Sequence, residues 1–83
     1  MARAVAPRGT PTTGDATTDR ALRLGARGAV RTGLVCYVVA TYYGPRCTYS
    51  KPPRWQAAYT IAPAGDAVEV TFHDGRMTPA AVR

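Results

Sequence analysis

All seven aromatic residues of this 83-residue chain fall between Tyr37 and Phe72. Large rings supply much of the area a small core can bury, so the folded centre is expected in the later part of the chain. Residues 1–33 also lack Ile, and hold six Arg, five Gly and two Pro against two Asp, for a net +4. Ala2 to Thr18, a mixture rich in Ala, Pro, Gly and Thr, buries too little apolar area to offset its ordering entropy. Residues 1–33 are therefore expected to be a disordered or partner-ordered basic arm. It carries one short helix over 18–25, with Thr18 as cap, Asp19 in the first turn and Gly25 as the stop. A helix that short must dock to persist.

Residues 34–83 read as one small, mainly β domain. Leu34 to Tyr43 is dense in β-branched and aromatic residues and apolar on both phases, as in a strand buried on both faces. Gly44-Pro45 is expected to end it, with a proline-rich loop over 45–54. Trp55 to Ala62 alternates as a half-buried strand, and Pro63-Ala64-Gly65-Asp66 is a turn. Ala67 to His73 alternates cleanly, with Val68, Val70 and Phe72 inward and Glu69, Thr71 and His73 outward. Asp74-Gly75 is a hairpin turn into a short strand at Arg76 to Thr78, followed by a single turn at Pro79 to Ala81. The expected inward set is Val35, Tyr37, Val39, Trp55, Tyr59, Ile61, Val68, Val70, Phe72 and Met77. About 50 residues lie near the lower limit for an unaided domain, so the helix or a second copy of the chain is expected to help complete the core.

The order of elements over residues 33–83 resembles the small SH3-like barrels, including the Tudor and KOW-type modules. Val68-Glu69-Val70-Thr71-Phe72-His73-Asp74-Gly75-Arg76, followed by Pro79-Ala80-Ala81-Val82-Arg83, is similar to the strand–turn–strand stretch of such modules. The resemblance implies a barrel whose long loop binds peptides, methylated side chains or nucleic acid. Val82 offers only the stump of a last strand. The barrel is thus expected to be incomplete, or to be finished by the N-terminal segment or another copy.

Size and motifs exclude several function classes. Eighty-three residues leave no room for a large cofactor-binding catalytic domain. There is no glycine-rich phosphate loop, no paired-carboxylate arrangement and no close cysteine pair of the kind zinc sites use. No catalytic residue, metal or cofactor is expected. The longest apolar run, Gly33 to Ala40, is far short of the roughly 20 residues that span a bilayer. The N-terminus lacks the apolar region of a secretion signal. A cytoplasmic protein with Cys36 and Cys47 as free thiols is therefore expected. Cys47, beside Arg46, has the setting for a lowered thiol pKa.

The net charge of +6 divides as +4 in residues 1–33, +3 in 34–65 and −1 in 66–83, and ten of the eleven cations are Arg. Tyr42 to Trp55 holds three cations, four aromatic rings and no acid. Cations neutralise phosphates, and rings stack on bases at about 1–3 kcal/mol each. The leading expectation is a non-catalytic nucleic-acid-binding or nucleoprotein-associated module. Arg46, Lys51, Arg54 and the helix-spaced Arg20, Arg23, Arg27 and Arg31 are its phosphate contacts, and Tyr42, Tyr49 and Trp55 its stacking rings. Two alternatives stand beside it. One is a small regulatory or inhibitory module, phage or mobile-element encoded, that docks on an acidic protein surface. The other is a structural subunit of a larger assembly.

Overall fold

A computed structural model of the chain describes residues 6–53 and 56–73. Helix α1 spans Ala16–Thr32. Asp15 caps it from an extended backbone (φ −98°, ψ 115°) and accepts from the Thr18 backbone N–H at 3.2 Å. The Asp19 carboxylate in the first turn accepts from the Thr13 backbone N–H and hydroxyl, each at 2.7 Å. The two carboxylates thus tie the entering chain to the turn where the helix dipole favours negative charge. Gly33, at φ 74°, ends the helix in the left-handed region open to glycine, and its N–H bonds the Ala29 carbonyl at 2.8 Å.

Four strands follow: β1 Cys36–Thr41, β2 Gly44–Thr48, β3 Ala57–Ala64 and β4 Ala67–Phe72. They make one antiparallel sheet in the order β2-β1-β3-β4. Each hairpin turns through two residues. In the first, Tyr42 and Tyr43 form the turn and Gly44 (φ 110°) takes the positive φ that follows it. In the second, Gly65 (φ 68°) occupies the first central position, the glycine site of a type II′ turn.

Helix α1 covers one face of this sheet. Ala21, Leu22, Ala26 and Ala29 meet Cys36, Val38, Ile61 and Val68, with Val30, Tyr59 and Val70 packed around them. Small residues let the backbones approach. A Cβ on Gly25 would meet Ile61 Cδ1 at 2.8 Å, Cys47 Sγ at 3.1 Å and Cys36 Sγ at 3.3 Å. Upstream, Val68 N–H donates to the Arg8 carbonyl at 2.8 Å, which pairs Arg8 with Ala67 in a parallel bridge. An Arg8–Asp66 ion pair at 3.0 Å fastens the same point.

The mainly β class expected from the sequence is the one observed, a four-stranded antiparallel sheet with one helix. Four particulars differ. The helix is longer at both ends than 18–25, because Gly25 and Gly28 serve close packing and do not end it. Residues 16–32, expected to belong to an arm, therefore supply half the buried cluster. The expected 45–54 loop contains β2, an edge strand that tolerates Pro45. On the first half of β1 the phase is reversed: Cys36 and Val38 are buried against the helix, whereas Val35 is exposed and Tyr37 half-buried; past a register shift at Val38–Val39, Val39 is buried as expected. Phe72 is half-exposed as well. Trp55, Met77 and the expected elements from Asp74 onward lie outside the described residues.

Candidate functional site

The outward face of α1 is basic. At 100° per residue, Arg20, Arg23, Arg27 and Arg31 fall within one arc, opposite the buried Ala21, Leu22, Gly25, Ala26 and Ala29. From Arg20 to Arg31 the stripe rises about 16 Å at 1.5 Å per residue. Arg20, Arg23 and Arg31 are exposed and Arg27 is half-buried. Leu24 lies in the same arc at 52% exposure, an apolar residue that the core does not use.

Strand β2 sets a second basic element beside the helix. Arg46 is exposed, and it shares a groove with Arg20 between α1 and the edge of the sheet. Lys51, just beyond β2, is exposed too. Among the described residues the one ion pair is Arg8–Asp66, so none of Arg20, Arg23, Arg27, Arg31, Arg46 and Lys51 is neutralised in this way. The acids among the described residues form no ion pair with these cations. Asp15 and Asp19 cap the helix, Asp66 lies in the β3–β4 turn, and Glu69 is exposed on β4.

The tip of the β1–β2 hairpin carries two uncovered rings. Tyr42 is 94% and Tyr43 86% exposed, and their rings meet edge to face with centroids 5.2 Å apart. Thr41 braces the turn: its hydroxyl donates to the Gly44 carbonyl at 2.7 Å and accepts from the Tyr43 N–H at 3.1 Å. The tip lies toward the N-terminal end of α1, since Thr18 shares an apolar cavity of about 210 Å³ with Val38, Ala40, Thr41, Gly44 and Tyr59. Of the other ring candidates, Tyr49 is half-exposed and tucks its hydroxyl end against Gly28. It therefore packs the helix as well as facing solvent. Arg54 and Trp55 lie outside the described residues.

The thiols and the histidine are kept apart. Cys36 and Cys47 are both free and face the helix. His73 sits on the opposite phase, its Nε2 2.7 Å from Thr60 Oγ1, and Thr60 pairs with Tyr37 on the face of the sheet turned away from α1. The sheet thus stands between His73 and either sulfur.

No protein-family model, curated protein or solved structure matches the chain.

Sequence spacing was enough to find the arginine stripe, because positions three and four apart share a helix face. It did not find Tyr43, whose exposure follows from a turn that spacing alone does not reveal. No helix among the described residues is long and apolar enough to cross a membrane.

Proposed function

We propose that the protein is a non-catalytic nucleic-acid-binding module that grips phosphates with the outer face of α1 and the β2 edge. The observation that carries this reading is the stripe of Arg20, Arg23, Arg27 and Arg31, turned away from the core and free of ion pairs among the described residues. Burial does not account for it, and four like charges on one exposed face repel one another unless an anion joins them. Arg46 and Lys51 widen the stripe sideways. Tyr42 and Tyr43, with their rings in solvent, suit unpaired bases, which stack on aromatic faces without regard to sequence.

The test is binding to single- and double-stranded oligonucleotides by fluorescence anisotropy at about 50 and about 200 mM salt. Engagement of four to six phosphates predicts a loss of roughly 10²–10³-fold in affinity across that range. A variant with all four helix arginines changed to Gln lowers the salt slope by about 0.9 for each duplex contact removed. Absence of binding at low salt, or a slope unmoved in that variant, overturns the reading in favour of an acidic protein surface as the partner.

A further inference from the structure

Two depressions adjoin between α1 and the sheet, and Pro45 lines both. One is the groove beside β2, about 540 Å³, lined by Arg20 from α1 and Arg46 from β2 and by no carboxylate. The other is the apolar cavity of about 210 Å³ near Thr18 at the N-terminal end of α1. Buried Val38 and Ala58 line it, and so does Ala40, which pairs with Pro45 across β1 and β2. Tyr59 adds an aromatic wall and packs on Phe72 with ring centroids 5.0 Å apart. An apolar cavity of about 150 Å³ already accepts a benzene ring, so this one has room for a planar ring.

Two further features decide what such a ring carries. Both threonine hydroxyls of the cavity are committed: Thr18 Oγ1 donates to the Asp15 carboxylate and Thr41 Oγ1 to the Gly44 carbonyl. Those walls therefore hold a ring by apolar contact and not by hydrogen bonds to its edge. The surrounding charge is sided as well. Asp15 stands at the Thr18 rim, whereas Arg20 and Arg46 stand beyond Pro45. An anionic group attached to the ring is drawn towards the groove and away from the helix cap.

We infer that the cavity and the groove together seat one unpaired nucleotide of a single strand, its base in the cavity and its phosphate between Arg20 and Arg46. The inference rests on the phosphate-binding reading of α1 and β2, and it adds the class of ligand, single strands in preference to duplex. A paired base reaches such a cavity only by leaving its stack, at the cost of its pairing and stacking. Thr41 and Gly44, which line the cavity, flank Tyr42 and Tyr43. The tip rings thus stand beside the seated nucleotide, where they stack the base that follows it.

The full chain is titrated with a short fluorescent oligothymidylate and with a duplex of the same length. The Ala40→Leu variant, which fills the cavity from β1 and removes no cation, is titrated beside it. Filling is expected to weaken single-strand binding by about 10-fold, within the range of one stacked base. The salt slope stays where it was, because no phosphate contact is lost, and duplex binding is unchanged. Should Ala40→Leu fail to fold, nuclear magnetic resonance of the unaltered protein decides. The methyl signals of Val38, Ala40 and Ala58 are expected to shift with the oligothymidylate and to stay in place with an abasic strand of the same length. Single-strand binding that tolerates Ala40→Leu, or methyl signals unmoved by a bound oligothymidylate, overturns the nucleotide site, while a steep salt slope in the same titration keeps the phosphate reading. Duplex binding weakened as much as single-strand binding, or thymidine monophosphate bound as tightly as the oligomer, also overturns the site. Absence of binding to any of these nucleic acids overturns both.

Discussion

The two hairpins solve the same geometric problem and leave opposite surfaces behind. The β3–β4 hairpin turns at Gly65-Asp66, and that turn is bound back into the molecule by the Arg8–Asp66 ion pair and the Arg8–Val68 hydrogen bond. The β1–β2 hairpin turns at Tyr42-Tyr43 and leaves both rings in water, beside cations on β2 and α1 that make no ion pair among the described residues. Aromatic rings are costly to expose, and the first hairpin makes no use of them in packing. The comparison teaches that the β3–β4 turn is tied into the fold, whereas the β1–β2 tip and the outer face of α1 leave rings and cations exposed, the surface that the proposed function uses.

That division can be broken by substitution. The largest effect is expected on the stability side: Ile61→Ala, fully buried under the helix, should cost about 2–5 kcal/mol by urea denaturation. A cost below 1 kcal/mol would place the core elsewhere. Next, Tyr42→Ala and Tyr43→Ala should leave the urea midpoint unchanged yet weaken single-strand binding by about 1–3 kcal/mol for each ring that stacks. A drop in stability without a loss of binding would return the rings to the fold and erase the contrast. Smaller again is Gly9→Ala. Gly9 sits at φ 92° with its Cα against the Val68 carbonyl, so a methyl there strains the backbone and pushes the strap off β4. A loss of about 1–2 kcal/mol is expected, with hydrogen exchange at the Val68 amide rising more than at Val38.

The smallest effect belongs to pH. Hydrogen bonds from Thr18 hold the Asp15 carboxyl below its ordinary value of 3.8, and hydrogen bonds from Thr13 do the same for Asp19. With the folded pKa below the unfolded one, their contribution is complete above about pH 4 and is lost as pH falls through the lowered values. Helix content by circular dichroism should therefore fall in acid, and the Asp15→Ala/Asp19→Ala variant should flatten that part of the profile. An unchanged profile would show that these caps do not support the helix that carries the arginine stripe.

The same division governs what the sequence reveals. Strands β3 and β4 were legible because each buries one face, so alternation at Tyr59, Ile61, Val68 and Val70 marks them. Strand β1 was legible as an element but not in phase, since Cys36 and Val38 are no more apolar in pattern than Tyr37 and Val39. Strand β2 was hidden by Pro45 and by its polar neighbours, which an exposed edge permits. The second half of α1 was hidden because Gly25 and Gly28 look like stops, while their role, room for Ile61, two sulfurs and Tyr49, depends on residues 11 to 36 positions away. Of the candidate site, the arginines and Tyr42 could be read from composition and spacing. The groove at Cys47 could not, because it exists only once β2 pairs with β1.

The strap at Arg8 also bears on how copies of this chain can meet. A sheet with two unpaired borders can add neighbours on both sides and grow without limit. Here the backbone of Arg8 occupies the border of β4 at its first residues. Among the described strands that leaves the border of β2 and the later residues of β4 without a partner, and Pro45 removes one of the donors of β2. Pairing through β2 alone joins two copies about a twofold axis and then stops. The strap thus removes the start of β4 from the borders open to strand-mediated self-association.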